Sequence, residues 1–483
     1  MSELRGLQPT LLWSFFDDIR RIPRPSGKEE KVADYLVNFA KQEGLEHKKD
    51  DAGNVLIRQP GTPGHEDAQP VVLQAHMDMV CEKNSDKEFD FDNDEIQVLV
   101  EDEWVTADGT TLGADNGIGV AAILAVMSDK KCEHGPIEGL FTVDEERGLV
   151  GATSISTDWL KGRTLINVDS EDIGIFSIGC AGGSDTHVTL PVKRTDPKGD
   201  TVVQIHLSGL RGGHSGIDIH EGRGNALKIL NRLLYQLSKN YPVELMSING
   251  GDKHNAIPRE AIAKVVMPGN NIKPAEEWLN HALASIREEF HPVEKNIALK
   301  VEQINDPAAN VLDKQSQRNV IALTFAFPHG PLEMSRTIKD LVETSNNVAS
   351  IKCNDNEVKF HLSSRSSNDT ALQATLDKFE AISAIVGANV HQPPGYPGWM
   401  PNLDSNVLQV ALDTYKKVTG EDATYEAIHA GLECGLIGEK FEGMDMISIG
   451  PTLKHPHSPD EKVHINSVQV FYNHLVKMLE VLA

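Results

Sequence analysis

Little in this chain speaks for a membrane, a disulfide framework or a polyanionic partner. Its longest apolar stretch, residues 118–127, is too short to cross a bilayer and reads as a buried helix. The five cysteines (Cys81, Cys132, Cys180, Cys353 and Cys434) are widely spaced, form no CxxC and cannot all pair, which points to a reduced, cytoplasmic protein. Basic residues are scarce: 46 Lys plus Arg stand against 71 Asp plus Glu, for a net charge of −25. That balance argues against nucleic acid and against an anionic membrane as partners. Low-complexity tracts and internal repeats are absent. The opening stretch MSELRGLQPTLLWSFFDDIRRIP has early acidic residues and no long apolar run before a cleavage site, so it reads as an amphipathic helix and not as a signal peptide.

What is there is a globular composition of 40% hydrophobic and 24% charged residues in 483, too long for one ordinary core and suggestive of about two domains. Apolar spacing predicts a helix over 9–22. Ser26 and Glu29 stand in capping-box spacing for a second helix that Gly44 ends. The runs NVLIR, VVLQAH, IQVLV, IEGLFTV and TLINV read as strands, with a helix over 116–128 between them. Strands alternating with helices predict an α/β layer with parallel strands. After the Gly-rich GCAGGSD the texture becomes α+β, with strands TVVQIHLSGL and EAIAKVVMP and helices over 225–239 and 275–289. A second break, HQPPGYPGWMPNLDS, precedes a helix, the strand MDMISIG and a last helix. The expected organisation is a discontinuous first domain, residues 1–182 and 401–483, with residues 183–400 inserted.

The chemistry-bearing residues sit where the predicted strands end. VVLQAH ends in His76, with Asp78 two residues on. TTLGADNGIG carries Asp115 in a Gly-rich loop before a helix. LFTVDEERG ends in Asp144, Glu145 and Glu146, and LINVDSED in Asp169. Near the C-terminus, GPTLKHPHSPDEKVH supplies His455, His457 and His464. Ligands bind beyond the carboxyl ends of strands in open α/β sheets, so these clusters can converge. Mixed imidazole and carboxylate donors suit zinc, manganese or cobalt. A two-metal site with ions about 3.5–4 Å apart needs a bridging carboxylate. Of two adjacent glutamates, one can bind metal while the other serves as general base. Any single cluster is also consistent with a loop cap or a satisfied polar group. Their number, each at the end of an apolar strand, favours the metal site.

The ordered set HMD, GADNG, DEERG, VDSE and HSPDE resembles the dizinc peptidases related to carnosinase, aminoacylase and glutamate carboxypeptidase. GLRGGHSG, NAIPREA and HAGLECGL extend the resemblance over nearly the whole chain. It implies a mixed-sheet α/β catalytic domain with an inserted α+β lid, or dimerisation, domain, in a homodimer. It implies two Zn2+ per subunit, which Co2+ or Mn2+ can replace. His76 and Asp169 would hold one ion, Glu146 and His457 the other, and Asp115 would bridge them. Asp78 would orient His76, and Glu145 would be the general base. His457 is preferred over His455 because it immediately precedes SPDE, although Pro456 stands where the family often has Gly. In the lid, His214 would steady the oxyanion, and Asn255 and Arg365 would bind the substrate's terminal carboxylate, for which an Arg fork is suited. Glu433 would meet the substrate's amine. The implied activity is hydrolysis of dipeptides, preferentially Xaa-His. The alternatives are an N-acyl amino acid amidohydrolase or tripeptidase of the same superfamily, and a catalytically inactive binding protein on this fold. A two-metal phosphoesterase ranks last, since no GxxxxGK[ST] occurs.

Overall fold

The fold, taken from a computed structural model, is described for residues 4, 6–305 and 310–483. The first stretch of chain forms helices α1 (Thr10–Ile19) and α2 (Glu30–Glu43), then strands β1 (Glu46–Lys49), β2 (Val55–Gln59) and β3 (Val71–His76). Helix α3 (Ala114–Ser128) leads to β4 (Ile137–Thr142), β5 (Thr164–Asn167) and β6 (Ile175–Cys180). The middle stretch contributes β7 (Gly182–Pro191), β8 (Thr201–Ser208), α4 (Ala226–Asn240), β9 (Glu244–Gly250), β10 (Ala261–Met267) and α5 (Ile272–Phe290). It continues with β11 (Ala298–Gln303), α6 (Lys314–Ala326), β12 (Val342–Cys353), β13 (Glu357–Ser366), α7 (Asp369–Ile385) and β14 (Asn389–His391). The last stretch adds α8 (Asn406–Thr419), β15 (Thr424–Ile428), β16 (Asp445–Ser448) and α9 (Ile465–Leu482).

The chain forms two compact units. The first comprises the residues up to Cys180, Trp399–Ala427 and Leu432–Ala483; the second comprises Ala181–Gly398 and Ile428–Gly431. In the first unit an eight-stranded sheet runs in the order β1-β2-β4-β3-β5-β16-β6-β15. β4, β3, β5 and β16 are mutually parallel, whereas β1 with β2 and β2 with β4 are antiparallel, so the sheet is mixed. Every residue of β3 and β4 is buried, as expected for central parallel strands covered on both faces. Pairing of His76 with Thr142, Gln74 with Asn167 and Asn167 with Ser448 brings the carboxyl ends of all four parallel strands to one edge.

Two local details differ from the sequence reading. Ser26 does not cap α2: the helix begins at Glu30, and the Glu29 carboxylate instead accepts the Gly27 and Asp144 N–H groups at 2.7 and 3.1 Å. Gly44 does end that helix, at φ 71°, a left-handed conformation that glycine adopts without steric cost. The 116–128 helix starts with a kink, because Asp115 and Asn116 carry non-helical dihedrals. The apolar run from Ile118 to Met127 is buried, as its composition predicts.

The second unit has its own core and its own nine-stranded sheet. Its principal path is β11-β8-β10-β9-β12-β13-β7-β14, with Gly330–Met334 also paired to β12. Leu227, Leu230, Leu233 and Leu237 of α4, Leu279 and Leu283 of α5, and Phe379 of α7 join Val188, Leu190, Phe360 and Leu362 of the sheet in one buried cluster. Helix α4 begins where Asn225 accepts the N–H groups of Leu227 and Lys228. Among the described residues no helix is long and apolar enough to cross a membrane. Cys81, Cys132, Cys353 and Cys434 are unbridged thiols.

Candidate active site

The aligned strand ends of the first unit gather the five residues expected to hold metal. His76 closes β3, and its Nε2 lies 3.0 Å from Asp115 Oδ1 and 3.4 Å from Asp169 Oδ1. His457 Nε2 lies 3.1 Å from Asp115 Oδ2 and 3.0 Å from Glu146 Oε1. Asp115 therefore turns one carboxylate oxygen to each imidazole. Candidate donor atoms fall into two triads, His76–Asp115–Asp169 and Asp115–Glu146–His457, in each of which all atoms lie within 4.8 Å of one another. His76 is buried, whereas the His457 side chain is 48% exposed. His457 also sits at φ 59°, a left-handed conformation that costs a non-glycine residue energy and is held by its surroundings.

Asp78 organises the turn beside this cluster. Its Oδ1 stands 3.3 Å from His76 Nδ1, and its two oxygens accept the N–H groups of Glu145 and Glu146 at 3.1 and 3.3 Å. Burial opposes ionisation of Asp78, but the bond to His76 and the His76 charge outweigh it and hold its pKa down at about 2.

The electrostatics reflect crowded carboxylates. Burial opposes charge on His76, yet Asp169, Asp115 and Asp78 overcome it and raise its pKa well above the ordinary value. Hydrogen bonds to Asp115 and Glu146 push His457 up to about 11. Burial raises Asp169 to about 7. Glu145 is raised well above the carboxylate range by burial, with Asp169, Glu433 and Glu146 adding negative charge around it.

Four groups that residue type did not single out complete the site. The Glu461 carboxylate accepts the backbone N–H groups of Leu112, Gly113, Ala114 and Asp115 at 2.7, 2.9, 2.7 and 3.3 Å. It thus fixes the loop that presents Asp115. Buried Arg24 donates to the carbonyls of Met77 and Asp78 at 2.9 and 2.8 Å and to that of Gly113, tying the same loop to the end of β3. Asn116 donates to the Val168 carbonyl at 3.0 Å and to Asp169. Gln74 bonds Glu433. Glu461 lies in the motif that carries His457, which is the one signal that could have found it; Arg24 has none.

Glu433 is 2% exposed, and its Oε2 accepts from Gln74 Nε2 at 2.6 Å and Thr142 Oγ1 at 2.7 Å. Burial raises it to about 7. His214, Asn255 and Arg365 all belong to the second unit. His214 Nδ1 accepts the N–H groups of Gly216 and Ile217 at 3.2 and 3.0 Å, which leaves the proton of a neutral ring on Nε2. Burial and the Arg365 charge lower its pKa. Asn255 is exposed, and its carbonyl accepts the Ser215 N–H at 2.8 Å. Arg365 Nη1 donates to the Tyr396 hydroxyl at 2.8 Å, while its enclosed Nε has no hydrogen bond.

A mixed sheet with paired imidazole–carboxylate triads at the carboxyl edge of its parallel strands is the frame of a metal-type hydrolytic site. The chain belongs to the peptidase family M20/M25/M40, whose sequence profile matches residues 72–481. It is 42% identical over 482 residues to the cytosol non-specific dipeptidase of Escherichia coli strain K12, an alignment covering 99% of each chain. The crystal structure of aminoacylhistidine dipeptidase from Vibrio alginolyticus superposes with a TM-score of 0.92 at 43% identity, covering 99% of this chain and 98% of that one. Aminopeptidase PepT from Bacillus cereus shares the fold, with a TM-score of 0.58 at 15% identity and 99% of each chain covered. By family the protein is an enzyme, a peptide-bond hydrolase of mixed α/β fold.

Proposed function

We propose that the protein is a metal-dependent dipeptidase that prefers Xaa-His substrates and uses Glu145 as general base. The observation that carries this reading is Asp115, whose two oxygens face His76 and His457, each with a further carboxylate at 3.4 Å or less. The donors fit two divalent ions. They are imidazoles and carboxylates, donors that zinc, cobalt and manganese accept. Glu146 Oε1 is enclosed, with the His457 ring nitrogen 3.0 Å away. His76, Asp115 and Asp169 would hold one ion and Asp115, Glu146 and His457 the other. Bound there, the ions would acidify a water and polarise the peptide carbonyl.

The chain's own groups supply the proton traffic. Glu145, with its proton affinity raised by burial, takes a proton at its carboxylate and returns it to the leaving nitrogen. Asp78 holds the His76 ring and the Glu145–Glu146 backbone in register. His214, with its ring proton on Nε2, is assigned to the developing oxyanion, and Asn255 and Arg365 to the substrate carboxylate. Glu433 is assigned to the substrate's amine through Oε1, the oxygen that Gln74 and Thr142 leave unbonded.

The residues within 183–400 are proposed as the lid of a homodimer, and light scattering checks the dimer. The name of the Escherichia coli relative supports a cytoplasmic location. Chelation with a strong divalent-ion chelator abolishes turnover of Xaa-His dipeptides, and two equivalents of zinc restore it. A panel of Xaa-His dipeptides, other dipeptides, tripeptides and N-acetyl amino acids tests the substrate class; faster turnover of the last two than of any dipeptide overturns it.

A further inference from the structure

A second group of metal-type donors lies on the sheet of the second unit. Strand β7 pairs with β14 on one side and β13 on the other, and His187 is opposite both His391 and His361. Three histidines therefore share one rung across three neighbouring strands. Side chains directly opposite in a sheet share a face, and so do residues two apart in one strand. Asp185 thus joins His187 on that face, while Val188, Leu190, Phe360 and Leu362 point into the core. His254 approaches from the loop after β9.

The distances are short. Asp185 Oδ2 lies 3.1 Å from His361 Nε2 and 3.6 Å from His254 Nδ1. The rings of His187 and His361 are centred 4.4 Å apart, and those of His254 and His361 are 6.1 Å apart and stacked, with their planes 6° from parallel. One donor atom each from Asp185, His187 and His361 lies within 4.8 Å of the others. His361 Nε2 is enclosed, yet makes no well-formed hydrogen bond despite its nearness to Asp185. Three imidazoles thus lie around a single carboxylate, and rings this close repel when both are protonated.

We propose that Asp185, His187 and His361, with His254 and His391 at their margin, form a binding site for one further divalent transition-metal ion of the zinc, nickel or cobalt class. One carboxylate and two or three imidazoles are the donors such ions select over magnesium or calcium, which take oxygen alone. Burial opposes charge on Asp185, but the adjacent His254 and His361 imidazoles prevail and keep it well below the usual carboxylate range, so it is available as an anion. An ion there joins β7 to β13 through side chains.

The test uses the whole enzyme loaded with zinc. Nickel chloride is titrated calorimetrically, and zinc and nickel are counted by elemental analysis after gel filtration, so that exchange at the other site is seen directly. The wild type takes up one nickel per chain without losing zinc, and its melting temperature rises. The H187N/H361N double variant takes up none and shows no rise. Asp185→Asn weakens nickel binding by at least about ten-fold. The single variants H187N and H361N carry the test should the double variant fold poorly, as judged by circular dichroism. Nickel uptake that is absent from the wild type, or equal in wild type and variants, overturns the proposal and leaves the cluster as an ion pair between stacked rings.

Discussion

Glu145 and Glu146 are neighbours with different surroundings. Both hang from the Asp78 carboxylate by their backbone N–H groups, yet only Glu146 reaches His457. Glu145 lies instead among Asp169, Glu433 and Glu146, whose charges add to burial in raising its proton affinity. A carboxylate so placed suits a base that must accept a proton and give it back. Replacing Glu145 by Gln keeps the volume and the backbone anchors but removes the proton acceptor. The expected result is a fall in kcat of about 100- to 10,000-fold with zinc content unchanged. Turnover near the wild-type rate, with two zinc ions still counted, would rule out the assignment of Glu145 as base.

The turn that leads into α3 shows how an element is set by groups distant in sequence. Glu461 accepts four N–H groups from residues 112–115, and Arg24 spans from the end of β3 to Gly113. Changing Glu461 to Gln keeps one carbonyl acceptor and turns an amide NH2 toward the remaining N–H groups, so at least one buried donor loses its partner. That costs about 1–3 kcal/mol and loosens the segment that carries Asp115. Zinc affinity, measured by competition with a chelator, falls about 10- to 100-fold; unchanged affinity would remove the positioning role. The strand-end clusters were legible in sequence because each follows an apolar run, and parallel pairing then brings them to one edge. Arg24 and Glu461 were not, because their partners are backbone atoms, in the case of Leu112 and Glu461 349 residues apart, and a backbone partner leaves no residue-type signature. The same limit hid the histidine rung, since His187, His361 and His391 meet only through strand register. The Ser26 capping box failed because Glu29, read as its distal member, takes the Gly27 and Asp144 N–H groups instead.

At the scale of the whole molecule, acid stability follows from histidines buried in the neutral form. His474 on α9 is the clearest case in the first unit. Its Nε2–H donates to the Ala411 carbonyl of α8 at 2.9 Å, and its ring stacks on Phe176 of β6 with centroids 5.2 Å apart. Burial lowers its pKa to about 4. In the second unit burial likewise lowers His329 and His429 to about 3. Below the ordinary imidazole value of about 6.5 the unfolded chain binds protons that these rings refuse. Stability from them is therefore complete above about pH 6.5 and is lost progressively as pH falls toward 4 and then 3. For His474 alone the loss between pH 7 and pH 5 comes to about 2 kcal/mol. Urea denaturation of the first unit at the two pH values measures it, with His474→Gln as the control. An amide side chain can still donate to Ala411 but does not titrate, so the variant is less stable at pH 7 yet loses about 2 kcal/mol less on going to pH 5. Metal release in acid affects both proteins alike and cancels in the difference. Equal pH dependence of the two would mean that His474 is protonated in the folded protein, and that the contact between α8, α9 and β6 tolerates the charge.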